Sequence, residues 1–216
     1  MKDFLSAVIR KIGWVVMTVL ALFIALYAVA LLFVPAMRPP FMRERFIVIP
    51  LAAIMHLGGS AVALAVGPFQ LNARLRNRLI AVHRWMGRAY VIGVLVGGIG
   101  ALILAPRAQF GLPSSTGFGL LAILWLTSTA TAYRQIRAGN QAAHRRWMIR
   151  SYALTFAAVM LRIYLPLSQV YGIPFEPAYP TIAWLCWVPN LILAEWMILR
   201  QQPALTTVDL PAHADV

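Results

Sequence analysis

The fold turns on residues 144–169, HRRWMIRSYALTFAAVMLRIYLPLSQ. The stretch opens with His144 among arginines and then stays apolar long enough to cross a bilayer, which takes about 20 residues. Its polar side chains keep helical spacing: His144, Ser151, Thr155, Arg162 and Gln169 follow at steps of 7, 4, 7 and 7, one face of a helix. An arginine on such a face needs a partner inside the protein, because lipid supplies none.

Five further apolar runs surround this one. Helices are expected at about 13–36, 46–69, 84–105, 117–133, 148–169 and 180–199, forming one membrane domain over residues 1–200. The fold class is therefore all-α integral membrane, a six-transmembrane-helix bundle. Residues 201–216 are polar with two prolines and no periodicity, the composition of a disordered tail. Ala28-Val29-Ala30 resembles a signal-peptidase site, but the first run continues to Pro35, which favours an uncleaved anchor. The adjacent Pro39 and Pro40 are expected to stop a helix.

Composition narrows the chemistry. With 61% hydrophobic and 12% charged residues, the chain lacks the polar surface of a soluble domain. A net charge of +13 would suggest a nucleic-acid partner in a soluble protein. Here most of the basic residues sit in short connections between apolar runs, so the expected partner is the lipid bilayer and not nucleic acid. Fourteen lysines and arginines fall on the N-terminus, the 72–88 and 134–150 regions and Arg200, against four on the other side. By the positive-inside rule both termini are expected to be cytoplasmic. The single cysteine, Cys186, excludes an intrachain disulfide and a Cys-built metal cluster. Six acidic residues, mostly near run ends or in tails, make a carboxylate-built Mg²⁺ or Ca²⁺ site unfavourable. No nucleophile elbow, phosphate loop, HExxH or CxxC is present, which leaves hydrolase and nucleotide-driven readings unsupported.

An internal echo directs attention to two histidines. His83-Arg84-Trp85-Met86-Gly87-Arg88-Ala89-Tyr90 recurs as His144-Arg145-Arg146-Trp147-Met148-Ile149-Arg150-Ser151-Tyr152, with Trp-Met-x-Arg-x-Tyr as the shared core. Helices two and three thus read as a parallel repeat of helices four and five, so that helices two to five form a duplicated four-helix core. Two imidazoles at similar depth on facing helices suit the axial positions of a haem b iron. Small faces, Gly59, Ser60, Ala63 and Gly67 on helix two and Gly87 and Gly97 on helix three, would admit a flat ligand. Arg84, Arg88, Arg145 and Arg150 would pair with its propionates. The arrangement resembles the four-helix core of cytochrome b561-type electron carriers. That resemblance implies a membrane oxidoreductase component passing electrons to or from a quinone-like partner. Helix four offers no histidine, so at most one bis-histidine site is complete.

The segments His56-Leu57-Gly58-Gly59, Gly67-Pro68-Phe69-Gln70, His83 to Tyr90 and Trp147 to Leu154 also resemble a bacterial multi-pass membrane family, domain of unknown function 2306. The resemblance implies the fold and a bacterial inner-membrane location, and brings no reaction with it.

A rival reading places the function deeper. His56 and Arg162 lie about 9–10 residues from the outer ends of helices two and five, which is roughly 15 Å at 1.5 Å per residue and near the bilayer midplane. With Gln169 and the helix-four hydroxyls Thr127, Ser128, Thr129 and Thr131, they would line a polar cavity in a haem-free transporter or lipid-binding protein for an anionic or proton-coupled solute. Glu195, near the cytoplasmic end of helix six, reads as a solvated or arginine-paired end residue more readily than as a proton carrier. A scaffold subunit of a larger membrane complex is a third reading.

Overall fold

The computed structural model describes residues 2–200, and among them it contains ten α-helices and no strand. The polar tail from Gln201 onward lies outside the described residues. Six spans are long and apolar enough to cross a membrane: Val8–Phe33, Pro50–Gln70, Ile80–Arg107, Leu112–Arg137, Gln141–Val170 and Phe175–Leu199. The six expected crossings are all present, several of them longer than their apolar runs.

The first span is α1 (Lys2–Phe33), which reaches well before Gly13. Beyond it the chain departs from expectation. Pro39 and Pro40 do not merely stop a helix. Pro39 caps, and Pro40 opens, a short helix, α2 (Pro40–Val48), because proline's fixed φ suits the first helical position and its missing N–H is no loss there. Arg38 folds back to cap α1: its Nε donates to Leu31 O at 2.7 Å and its Nη2 to Leu32 O at 2.8 Å. A guanidinium at a helix C-terminus satisfies carbonyls that have no partner within the helix.

The second span is α3 (Pro50–Gln70), followed by α4 (Ala73–Arg78) in the first arginine-rich turn. Asn72 caps α4, its side-chain oxygen accepting from Arg74 N and Leu75 N. The third span, α5 (Ile80–Leu104), already includes His83 in its first turn. It packs along α3 at backbone contact distance. A Cβ built on Gly59 would stand 2.4 Å from Gly97 N and 2.5 Å from Gly93 O, so only glycine permits this approach.

The fourth span is α6 (Leu112–Arg137), entered through Phe110 and Gly111, both at positive φ. Gly139 at φ +78° turns the chain, and Asn140 caps the next helix by accepting from Ala143 N. The fifth crossing is two helices, α7 (Gln141–Thr155) and α8 (Ala157–Val170). Thr155 Oγ1 donates to Ser151 O just before the break, the back-bonding that bends helices. The sixth crossing is also divided, into α9 (Phe175–Leu185) and α10 (Val188–Leu199). Pro189 explains that division, since its ring cannot sit against the carbonyl of Leu185 four residues back.

The core of the bundle gathers Tyr90, Val94, Trp125, Tyr152 and Ile182 from α5, α6, α7 and α9. α1 lies against α3 through Ala21, Ala25, Ala28 and Leu31. The exposed flanks are Leu, Ile, Val and Phe on every span, as a lipid-facing surface requires.

Candidate functional site

A cavity of about 220 Å³ opens between the short helix α2 and the loop after α5, and runs inward between α3, α6 and α8. Its mouth carries Arg45, Phe46 and Gln109, and its inner wall carries Trp125 and Thr155. Most of the wall is apolar, from alanines and leucines of α3, α5 and α8. Among its polar side chains are His56 from α3 and Arg162 from α8, together with Ser60 and Tyr179.

His56 is held in one tautomer. Its Nδ1 lies 3.1 Å from Gly97 O, and a carbonyl only accepts, so Nδ1 carries the proton. Ser60 Oγ sits 3.4 Å from the same nitrogen. Nε2 of the neutral ring is left as an acceptor, without a protein partner, on a side chain that lines the cavity. The close α3–α5 approach makes this possible, because Gly97 has no side chain to press on Gly59 and Ser60, and Gly100 none to meet the His56 backbone.

Among the described residues, Arg162 is a cation without a counter-ion. Its Nη1 donates to Ala158 O at 2.9 Å, and its guanidinium carbon lies 5.8 Å from the centre of the Tyr27 ring. The ion pairs among the described residues are Arg45–Glu44 and Arg150–Glu195, so no carboxylate reaches Arg162. Among the described residues, the remaining guanidinium N–H groups have no acceptor. A buried charge normally has a partner or a water-filled cavity beside it. Here the cavity is what it has.

Behind the inner wall lies a buried hydroxyl network. Tyr90 Oη is 2.7 Å from Ser151 Oγ and 2.8 Å from Thr155 Oγ1. Trp125 Nε1 donates to Thr155 Oγ1 at 2.8 Å, and Thr129 Oγ1 is 2.6 Å from Ser151 Oγ. Ser151 and Thr155 of the opening stretch are thus occupied with α5 and α6. Of the helix-four hydroxyls, Thr127, Ser128 and Thr131 return to their own backbone, and none of the four lines the cavity. Gln169 is also displaced from the expected face. It is exposed and donates to Ile173 O at 3.2 Å, in the turn after α8.

The two repeat histidines stand at the arginine-rich end. His144 Nδ1 lies 2.8 Å from Ala132 O, which makes it a donor and leaves Nε2 free, while His83 Nδ1 is buried without a partner. The small faces expected to admit a porphyrin are filled by packing. The Tyr152 ring occupies the space beside Gly67, Gln70 Oε1 lies 3.3 Å from the position of a Gly87 Cβ, and Gly97 is against Ser60. Arg84 and Arg145 are exposed, Arg88 lies over Trp85, and Arg150 is committed to Glu195 through Nε–Oε1 at 2.6 Å and Nη2–Oε2 at 2.7 Å. As packed, this region does not fit a flat macrocycle.

The echo has a structural meaning of its own. In each copy the arginine lies over the tryptophan three residues before it, Arg88 over Trp85 and Arg150 over Trp147, both at 4.5 Å. In each copy the tyrosine turns inward, and Tyr90 and Tyr152 are both buried. The shared Trp-Met-x-Arg-x-Tyr places a cation–π pair on the outside of a helix and an aromatic in the core.

A family model described as a predicted membrane protein, DUF2306, matches residues 53–198. The chain belongs to the DUF2306 family. The match runs from α3 nearly to the end of α10, so His56, Arg162 and the hydroxyl network all lie in the part of the chain that defines a DUF2306 protein. α1 and α2, with the mouth residues Arg45 and Phe46, lie before the matched segment. No curated protein and no solved structure matches the chain.

Proposed function

We propose that this DUF2306 protein binds a small anionic amphiphile in the cavity at His56 and Arg162 and acts as its carrier in the bacterial inner membrane, with both termini cytoplasmic. One observation carries the reading: Arg162 lines a largely apolar cavity and has no carboxylate partner among the described residues. An unpaired guanidinium inside a membrane protein is costly, and an anion entering from the mouth past Arg45 removes that cost. The apolar walls suit a short hydrocarbon body. The test is thermal stabilisation of the purified protein by octanoate in a neutral-lipid nanodisc. Octanoate is expected to raise the melting temperature of the wild type and to leave Arg162→Gln unchanged. Equal stabilisation of both proteins would sink the proposal.

A second reading, a b-type haem between His83 and His144 serving a redox partner, has one observation in its favour. The His144 Nδ1–H is held by a backbone carbonyl, the arrangement that orients a ligating imidazole. It requires α3, α5 and α7 to open where Tyr152 now fills the space beside Gly67.

A further inference from the structure

The proposed anion-binding role leaves the chemistry of the anion open, and His56 narrows it. Arg162 can only donate, since guanidinium has no lone pair to offer. The neutral His56 ring spends its one N–H on the Gly97 carbonyl, so toward the cavity it can only accept. A plain carboxylate answers the first requirement and conflicts with the second. Its oxygens are acceptors on every side, and set between the two groups one of them faces the Nε2 lone pair with no proton between.

We infer that the cavity selects a hydroxy acid: a carboxylate whose oxygens accept from Arg162 and whose neighbouring hydroxyl donates to His56 Nε2. Such a ligand cancels the charge of Arg162 and satisfies the acceptor that the α3–α5 contact has created. No proton has to be taken up or released. Two further polar groups of the wall, which also carries Arg45, Gln109, Tyr179 and Cys186, are already engaged within the protein. Ser60 Oγ is beside the His56 Nδ1, and Thr155 Oγ1 donates to Ser151 O while accepting from Trp125. The inference rests on the anion-binding reading and adds to it a requirement for a hydroxyl donor.

A site built to hydrogen-bond a hydroxyl rejects the analogue lacking it, because its own polar group is then left unpaired. The experiment compares three probes of one chain length, 2-hydroxyoctanoate, octanoate and octane-1,2-diol, by calorimetric titration into the full-length protein in neutral-lipid nanodiscs. 2-Hydroxyoctanoate is expected to bind roughly tenfold more tightly than octanoate, and the uncharged diol to show no saturable binding. His56→Phe is expected to close the gap between the two acids. His56→Gln, which keeps both an N–H for Gly97 and an acceptor, is expected to preserve it. Equal affinity for the two acids in the wild type overturns the inference, whether or not the variants fold. So does proton uptake accompanying octanoate binding, which would mean that His56 supplies the donor itself. If neither acid binds saturably, or Arg162→Gln leaves both affinities intact, the anion-binding reading fails with it.

Discussion

Tyr90 Oη of α5 lies 2.7 Å from Ser151 Oγ of α7, and the two hydroxyls belong to a network that holds fewer protons than contacts. Tyr90, Ser151, Thr155, Thr129 and the Trp125 indole supply five protons. The short contacts number six: Tyr90–Ser151, Tyr90–Thr155, Trp125–Thr155, Thr129–Ser151, Thr129–Trp125 O and Thr155–Ser151 O. Removing the Tyr90 hydroxyl deletes one proton and two contacts, and what remains is fully satisfied. Tyr90→Phe is therefore expected to cost only about 0.6 kcal/mol, the typical value for a hydrogen bond between membrane helices. Thr155→Val removes the acceptor of the Trp125 N–H, and that buried donor then has no partner. It is expected to cost about 1–3 kcal/mol. Reversible unfolding in mixed micelles measures both, and the opposite order would contradict this proton count.

Neighbouring glycines on α3 give a sharper contrast. A Cβ on Gly59 would stand 2.4 Å from the Gly97 nitrogen, whereas one on Gly58 would meet only the end of the Leu32 side chain at 3.9 Å. Gly58→Ala is expected to be neutral or to stabilise by up to about 1 kcal/mol, through helix propensity and a less flexible unfolded chain. Gly59→Ala forces two backbones apart and is expected to cost at least about 1–3 kcal/mol, the range for overpacking. It also moves Gly97 O from His56 Nδ1, so ligand affinity should fall with stability. Melting curves of the two variants in one detergent make the comparison.

The bundle was legible because lipid makes its demands in a coarse code: apolar runs of sufficient length, arginines collected at alternate turns, glycines where helices meet. Glu195, a lone acid near an arginine-rich end, was legible as solvated or arginine-paired, and the structure shows the second, with Arg150 holding it by two hydrogen bonds. What escaped is local. Pro39 and Pro40 read as a stop, yet proline also starts helices, and only the continuation to Val48 distinguishes the two. The break after Thr155 has no proline or glycine to announce it. It coincides with a hydroxyl choosing its own helix's carbonyl, and Gln169, at the far end of α8, is exposed and not part of the polar face. The His56–Gly97 hydrogen bond joins residues 41 positions apart, and no spacing rule links an imidazole to a backbone carbonyl on another helix. The repeated Trp-Met-x-Arg-x-Tyr was visible at once, but the same letters serve equally for a cofactor frame and for a cation–π pair beside a buried tyrosine.

The two functional readings separate by colour. If the cavity is the site, the protein purified from haem-replete cells is expected to show no Soret band, and His83→Ala and His144→Ala are expected to leave octanoate binding within about twofold of wild type, as substitutions away from a site normally do. A Soret band lost in both alanine variants would instead make the arginine-rich end the functional one. Air-oxidised and dithionite-reduced spectra provide the measurement.

Arg162 allows stability and function to be pulled in opposite directions. If its hydrogen bond to Ala158 O, four residues back in α8, steadies that helix, replacing it destabilises the protein. If it is a ligand group, the ligand-free protein bears the cost of an unpaired charge, about 2.5–3.5 kcal/mol for an arginine at the centre of a membrane helix. Methionine has nearly the reach of the arginine stem and no charge. Arg162→Met is therefore expected to melt higher than the ligand-free wild type and to lose the stabilisation by octanoate entirely. Arg162→Lys keeps the charge but not the planar fork, and is expected to keep the lower melting temperature with weakened binding. A lower melting temperature for Arg162→Met would assign the arginine to structure, and the apolar cavity would then have lost the one group that calls for an anion.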